Sequence, residues 1–205
     1  MTNIQFITHE NERFGYIEGT ELALRGGCKW VQLRMKNATD EQFLSVGRQV
    51  AALCRNYHAT FLLDDRVHLV HELGADGVHL GKNDMPVDEA RPLLGHEKII
   101  GGTANTFADI QRLATQGANY IGCGPFRYTT TKQNLAPVLG LKGYETLLNQ
   151  VKDAQIQIPL IAIGGILHDD IPDLLGIGVS GIAISGAVLN AENPKEEMEK
   201  LISVY

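Results

Sequence analysis

Short apolar segments alternate with longer amphipathic segments from one end of this chain to the other. The apolar segments are compact, as is typical of strands that are covered on both faces of a parallel sheet. A glycine that could end a helix stands just before four of them, at Gly27, Gly74, Gly117 and Gly178. We therefore predict eight β-strands separated by helices, at residues 5–9, 30–36, 60–65, 77–81, 99–104, 120–125, 159–165 and 181–186.

Strict alternation of strand and helix is typical of a parallel sheet with right-handed crossover connections. Two architectures satisfy it, a closed (β/α)8 barrel and an open doubly wound sheet. Eight units of about 25 residues fit into 205 residues without a linker, a composition shift or a low-complexity run. The sequence favours a compact α/β fold, a (β/α)8 TIM barrel forming a single domain over residues 1–205, and leaves the open sheet as the alternative.

The charge balance and the cysteines argue against several classes of protein. With 18 Lys and Arg against 24 Asp and Glu, the formal net charge is −6, whereas nucleic-acid-binding domains are usually basic. Three cysteines without a C-x-x-C pair fit neither a disulfide framework nor a zinc ribbon. No signal peptide is evident, and no apolar run approaches the ~20 residues of a membrane span. We expect a soluble, cytoplasmic protein that binds neither nucleic acid nor membranes.

Long polar side chains follow one another on one face of the second predicted strand. Alternation places Gln32, Arg34 and Lys36 on one face, and Leu33 and Met35 on the face that packs under helices. Three such polar groups on the inward face of a buried strand are costly unless they point into a wet or anion-filled mouth. We predict an anion site there, and the alternative is an internal polar plug.

Carboxylates stand at the ends of the third and fourth predicted strands. Asp64 and Asp65 end one strand, and Asp84 follows the next. Because neighbouring parallel strands end at the same edge, these carboxylates can meet and share a hard divalent cation such as Mg²⁺. The alternative is that they cap the helices that follow, since Met85 and Pro86 come directly after Asp84.

Four later strand ends carry glycines, two of them together with a hydroxyl side chain, and are suited to binding phosphate. They lie at residues 101–105, 122–125, 163–166 and 184–187. Loops after the seventh and eighth strands of such barrels often bind phosphate beside a helix N-terminus. The aperiodic connection 126–139 is long for this fold and includes Thr129, Thr130, Thr131 and Lys132, which predicts a lid over the ligand.

The histidines do not favour a metal site. His68 and His71 have the spacing of ligands on one helix face, but no third ligand is evident and the helix lies away from the strand ends. His79 stands within a strand and is interpreted as a hydrogen-bonded histidine of the core. We therefore expect no zinc site.

Taken together, these motifs resemble the thiamine-phosphate synthase family over nearly the whole chain. The resemblance implies a transferase of thiamine biosynthesis with a TIM barrel. It would join a hydroxymethylpyrimidine diphosphate to a thiazole phosphate with Mg²⁺, releasing pyrophosphate and thiamine phosphate. The matching motifs, in chain order, are QLRMK at 32–36, DD at 64–65, HLGKND at 79–84, GGT at 101–103, GPF at 124–126, TTTK at 129–132, IGGI at 163–166 and IS at 184–185.

The resemblance also implies roles for individual residues. Asp65 and Asp84 would hold Mg²⁺, and Thr103 and Lys132 would be catalytic as well as substrate-binding. The pyrimidine diphosphate would contact Gln32, Leu33, Arg34, Met35, Lys36, Asp64 and Lys132. The thiazole phosphate would contact Thr129, Thr130, Thr131, Gly165, Ile184 and Ser185. We expect Arg34, Lys36, Asp65, Asp84, Thr103, Lys132 and Ser185 to converge at one end of the barrel.

Three positions differ from the family's usual pattern. Asp64 stands where asparagine is usual, Lys82 where glutamine is usual, and Thr103 where serine is usual. Thr103 keeps the hydroxyl. Asp64 brings a negative charge close to the expected diphosphate, and we expect Lys82 to add a compensating positive charge nearby.

Two other functions remain open at this stage. A thiazole tautomerase with the same barrel would need a proton-shuttling histidine in the mouth and no metal pair. A phosphate-binding regulator would keep the pocket without catalysis. Metal-dependent release of pyrophosphate separates the enzyme from both, and the sequence leaves open whether the protein is a homo-oligomer.

Overall fold

Eight parallel strands close into a barrel in the computed structural model, which describes residues 4–129 and 136–204. Each strand pairs with the next along the chain, and β8 pairs with β1 through the partners Ile4 and Ile182. The closed barrel is confirmed and the open sheet is excluded. The strands are β1 (Ile4–Ile7), β2 (Trp30–Leu33), β3 (Thr60–Asp64), β4 (Gly77–Leu80), β5 (Ile99–Ala104), β6 (Tyr120–Cys123), β7 (Leu160–Ile163) and β8 (Gly181–Ile184).

Helices connect the strands, and two of them follow the last strand. Short 3₁₀ turns at Val67–Leu69 and His168–Asp170 precede α3 and α7. In the described parts of the chain the helices are α1 (Tyr16–Arg25), α2 (Asp40–Asn56), α3 (Val70–Leu73), α4 (Val87–Leu94), α5 (Phe107–Thr115), α6 (Gly140–Asp153), α7 (Ile171–Gly176), α8 (Gly186–Leu189) and α9 (Pro194–Ile202). Within those parts, no helix is both long and apolar enough to span a membrane.

The core has two layers, one between barrel and helices and one inside the barrel. Val31, Leu33 and Leu63 belong to the outer layer, and the residues that alternate with them face inward. The rings of Trp30 and Tyr120 meet edge-to-face inside, with centroids 4.9 Å apart. The interior is thus packed rather than hollow, with a cluster formed by Ile7, Trp30, Leu62, Tyr120, Ile161 and Ala183.

The strands end earlier than the sequence predicts, most clearly in β2. The ladder ends at Leu33 and not at Lys36, because the backbone N–H of Arg34 donates to the Thr8 side chain (3.0 Å) rather than to a strand carbonyl. Gln32 is buried inside the barrel and Met35 belongs to the outer layer, as alternation predicts. Arg34 and Lys36 therefore belong to the loop at the mouth, at the carboxyl end of the strands.

Candidate active site

The carboxyl ends of β2, β3 and β4 bring three carboxylates onto one lysine. The Lys36 Nζ atom lies 2.8 Å from Asp64 Oδ2, 2.7 Å from Asp65 Oδ2 and 3.8 Å from Asp84 Oδ2. The Arg34 Nε atom lies 3.8 Å from Asp64 Oδ2. We call these five residues the Lys36 cluster. The expected approach of Asp65 and Asp84 is confirmed, with the lysine ammonium between them.

Electrostatics keeps the lysine of this cluster charged. Burial alone would lower the pKa of Lys36, but the adjacent Asp64 and Asp65 carboxylates outweigh burial and raise it. The cluster therefore holds a permanent cation at the mouth.

Asp65 is fixed from two sides and does not cap a helix. Its Oδ1 atom accepts a hydrogen bond from Arg66 Nη1 at 2.5 Å, and its backbone N–H donates to the His79 carbonyl at 3.0 Å. The backbone at Asp65 is left-handed, with φ at 60°. The 3₁₀ turn that follows has no side-chain cap, so the helix-cap alternative for Asp64 and Asp65 is wrong.

Asp84 closes the turn after β4. Its Oδ2 atom accepts a hydrogen bond from the Gly81 backbone N–H at 2.6 Å. Helix α4 begins after Pro86 without a side-chain cap, so the cap alternative for Asp84 is also wrong. The turn aims Asp84 at Lys36 and leaves Lys82 to pair with Asp109 at the start of α5, at 2.7 Å. The charge of Lys82 is thus matched by Asp109, contrary to the expected compensation near the diphosphate.

A hydrogen-bonded chain of side chains runs through the barrel interior to Thr103. Gln5 Nε2 donates to the Tyr120 hydroxyl at 3.2 Å, which lies 3.0 Å from His79 Nδ1. His79 Nε2 lies 2.9 Å from the Thr103 hydroxyl. The interpretation of His79 as a hydrogen-bonded core residue is confirmed, and the chain orients a hydroxyl that the sequence assigns to the site.

Gln32 adds an unused acceptor beneath the Lys36 cluster. Its Nε2 atom donates to Asp64 Oδ1 at 2.9 Å, and its Oε1 atom is buried with no hydrogen-bond partner among the described residues. A buried acceptor without a partner is costly, so this atom favours a ligand that donates to it. The side chains of Leu33, Met35 and Ile184 are buried in the outer layer, which leaves only their main chain for a ligand.

On the opposite side of the mouth, Ser185 follows β8 and contacts β1. Its hydroxyl donates to the Ile7 carbonyl at 2.5 Å and lies 2.6 Å from His9 Nδ1. Burial, and then the nearby Arg34, lower the pKa of His9, which favours a neutral ring. Sequence reasoning missed His9, although the polar residues directly after the first apolar segment were a signal.

Glycine turns after β7 complete this side. Gly164 and Gly165 have φ values of 98° and 66°, which residues other than glycine rarely adopt. Gly164 lies against Pro125, and Gly165 lies against Arg127 and Tyr128. The loops after β6 and β7 thus pack directly on each other.

The expected convergence is found for the described residues. Arg34, Lys36, Asp65, Asp84, Thr103 and Ser185 all lie at the carboxyl end of the closed barrel. Thr129 is half-buried next to the gap in the described chain. Thr130, Thr131 and Lys132, with the central part of the predicted lid, lie outside the described residues.

His68 lies in the 3₁₀ turn before α3 and His71 lies in α3 itself, and each side chain has its own hydrogen-bond partner. His68 lies 2.7 Å from Asp40 Oδ2, and His71 contacts the Leu93 carbonyl. In residues 4–129 and 136–204, no group of three or more His, Cys, Asp or Glu side chains is arranged to hold a metal by itself. A metal at the mouth would therefore need oxygen ligands from a substrate or from water.

Comparison with known proteins gives one consistent result. The model of a family described as thiamine monophosphate synthase matches residues 4–188. The thiamine-phosphate synthase of Bacteroides thetaiotaomicron is 54% identical over 204 residues, covering 100% of this chain and 98% of that protein. That of Flavobacterium johnsoniae is 44% identical over 198 residues, covering 97% and 93%. The solved thiamine phosphate pyrophosphorylase from Pyrococcus furiosus is 32% identical, with a TM-score of 0.88 over 99% of this chain and 95% of that one.

Proposed function

The chain belongs to the thiamine monophosphate synthase family, and from that premise we propose how its mouth carries out the family's reaction. It is a transferase, and we propose that it joins a pyrimidine diphosphate to a thiazole phosphate to give thiamine phosphate and pyrophosphate. We propose that the reaction depends on Mg²⁺ and that the diphosphate binds at the Lys36 cluster. The observation that carries this proposal is the convergence of Asp64, Asp65 and Asp84 on Lys36.

The charges of the Lys36 cluster support a diphosphate site. Lys36 and Arg34 offer cationic donors, whereas the carboxylates would repel an anion unless a second cation neutralised them. Mg²⁺ commonly binds through one or two carboxylates together with substrate phosphates and water. Asp65 and Asp84 would hold the ion, which would neutralise charge on the departing diphosphate.

The remaining residues would bind and orient the two substrates and shield them from water. The Gln32 Oε1 atom, buried and without a described partner, would accept a hydrogen bond from the amino group of the pyrimidine. The thiazole nitrogen already has the lone pair that forms the new bond, so no side-chain base or nucleophile is assigned. Positioning the two substrates and excluding water from the pyrimidine cation would supply much of the rate.

The thiazole phosphate is assigned to the opposite side of the mouth. Gly165 and Ser185 lie after β7 and β8, where barrels of this kind often bind phosphate. Thr129, Thr130, Thr131 and Lys132 are assigned to the same ligand or to the diphosphate by the resemblance. Three buried free cysteines support a reducing, cytoplasmic location for the reaction.

Turnover with and without metal tests the proposal. With Mg²⁺ and both substrates the protein should release pyrophosphate and form thiamine phosphate, and chelation of the metal should stop both. Asp84→Asn keeps an oxygen that accepts the Gly81 N–H but removes the charge. This variant should lose at least about 100-fold in Mg²⁺-dependent turnover.

Two outcomes would contradict the proposal. Unchanged Mg²⁺-dependent turnover in Asp84→Asn would remove the metal role of Asp84. A folded wild-type protein that forms no product from both substrates and Mg²⁺ would leave the tautomerase or the regulator as the function.

A further inference from the structure

Arg127 joins the loop after β6 to the loop after β7 through a forked ion pair. Its Nη1 atom lies 2.8 Å from Asp170 Oδ2, and its Nη2 atom lies 2.8 Å from Asp170 Oδ1. The same Nη1 atom donates to the Gly165 carbonyl at 2.6 Å. One guanidinium thus holds both the glycine turn and the 3₁₀ turn that follows it.

Asp170 is itself held in place. Its Oδ2 atom accepts a hydrogen bond from the Leu167 backbone N–H at 2.8 Å, and its side chain is 16% exposed. The two ends of the segment 165–170 are therefore tied to one another through Asp170 and Arg127. A bidentate pair of this kind fixes orientation as well as distance, which a lysine ammonium cannot do.

The main chain of the two loops reinforces this contact. The backbone N–H of Phe126 donates to the Ile163 carbonyl at 2.9 Å, and that of Arg127 donates to the Gly164 carbonyl at 2.8 Å. A Cβ atom at Gly165 would lie 3.0 Å from Arg127 Cβ. The path of the glycine turn is therefore set by the residue against which it packs.

We propose that Arg127 is a positioning residue for the thiazole phosphate, acting through Gly165 and Asp170 without contacting the substrate. This inference rests on the proposed function, because it takes Gly165 as part of the thiazole-phosphate site. Arg127 fixes the turn before the substrate arrives, so the turn at Gly165 needs no reordering on binding. Its main effect should fall on the thiazole phosphate, since the Lys36 cluster lies on other strands.

Steady-state kinetics with each substrate varied in turn tests this assignment. Arg127→Lys keeps the positive charge but cannot make both hydrogen bonds to Asp170. Asp170→Asn keeps the size of the side chain and loses its negative charge. Each should raise KM for the thiazole phosphate about 10- to 100-fold, while kcat and KM for the pyrimidine diphosphate stay within about twofold. The double variant should be no worse than the more affected single variant, because both remove one interaction.

Arg48→Lys is the matched control. Arg48 makes an exposed ion pair with Glu72 at 2.8 Å on the outer helices, so its replacement should leave both KM values unchanged. A second control uses the unphosphorylated thiazole alcohol as substrate. Because that alcohol lacks the phosphate, Arg127→Lys should lower the preference for phosphate over alcohol.

Ser185→Ala separates failure of this inference from failure of the site assignment. If Ser185→Ala raises KM for the thiazole phosphate and Arg127→Lys does not, the positioning role of Arg127 is wrong. If neither variant changes that KM, the thiazole-phosphate site itself is wrongly assigned, and the inference falls with it. Equal rises in both KM values for Arg127→Lys would show a general structural role and overturn the proposal.

Discussion

The two sides of the barrel mouth are lined by different chemical groups. On the side of β2, β3 and β4, charged side chains meet one another around Lys36. On the side of β7 and β8, glycine turns and the Ser185 hydroxyl dominate, and an ion pair between Arg127 and Asp170 ties the loops together. Both sides are assigned to phosphorylated groups. A phosphate would therefore be bound by charged side chains on one side and by glycine turns and a hydroxyl on the other.

This difference indicates where metal dependence should arise. Around Lys36 the cations are already paired with carboxylates, so a diphosphate bound there would have to exchange partners with them. On our proposal, a divalent ion would then occupy the carboxylates. A phosphate site formed by glycine turns and a hydroxyl needs no such exchange of ion-pair partners. We therefore expect Mg²⁺ to change affinity for the diphosphate strongly and affinity for the thiazole phosphate little.

Among Lys36→Ala, Asp64→Asn and Lys82→Gln, the removal of Lys36 should have the largest effect on turnover. Lys36→Ala deletes the cation that we propose binds the diphosphate, and it leaves three carboxylates facing one another. Truncating one partner of a hydrogen-bonded charge pair costs about 2–5 kcal/mol. Lys36 is 36% exposed, so we take the lower end, about 2–3 kcal/mol, or roughly 30- to 150-fold in kcat/KM for the diphosphate.

The same variant should bind Mg²⁺ more tightly than wild type when no substrate is present. Titration calorimetry measures this, with Lys195→Ala as the control, because Lys195 pairs with Glu199 on the exposed helix α9. Weaker Mg²⁺ binding by Lys36→Ala would mean that the carboxylates around Lys36 are not the metal site.

Asp64→Asn should have a much smaller effect. The asparagine can still accept the hydrogen bond from Gln32, and Lys36 keeps Asp65 as a partner. Loss of one carboxylate near the diphosphate offsets loss of the ion pair, so kcat/KM should change by no more than about fivefold, or ~1 kcal/mol.

Asp65→Asn is the informative comparison for that variant. Asp65 also pairs with Arg66 and is the proposed metal ligand, so its replacement should lower activity far more. Equal losses in both variants would mean that the two carboxylates share one role.

Much of the fold was predictable because it depends on local rules. All eight predicted strands are present, and the glycines before four of them have φ values of 60° to 102°. Strand ends were less predictable. The end of β2 depends on the side chain of Thr8, which directly follows β1, and no local sequence pattern predicts that contact.

The sequence predicted which residues lie at the site, but not which side chains form ion pairs with one another. Parallel strands bring their carboxyl ends together, which is why Asp65, Asp84 and Ser185 could be assigned to the mouth. That Lys36 lies between three carboxylates, and that Lys82 does not, depends on the turn at Gly81 and on where α5 begins. These are distances in the folded protein, and the spacing of residues along the chain does not determine them.

Lys82→Gln should have the smallest effect, and it tests whether Lys82 belongs to the Lys36 cluster at all. Burial alone would raise the pKa of Asp109, but hydrogen bonds from Lys82, Asn105 and Thr106 lower it from 3.8 to about 2. Because the folded-state pKa is lowered, the stability from this pair is present above about pH 4 and is lost as the pH falls toward 2. Lys82 is 39% exposed, so the variant should lose no more than about 1 kcal/mol at pH 7.

Urea unfolding at pH 7 and near pH 2 measures this difference, which should be full at the higher pH and largely lost at the lower. Turnover of Lys82→Gln should equal that of wild type, because the Lys82 charge is matched by Asp109 and not by the diphosphate. Lys200→Gln is the control, since its pairing with Glu197 at 3.9 Å is more exposed and should contribute less at either pH. A rise in KM for the diphosphate in Lys82→Gln would place Lys82 in the charged side of the mouth and extend that side to the start of α5.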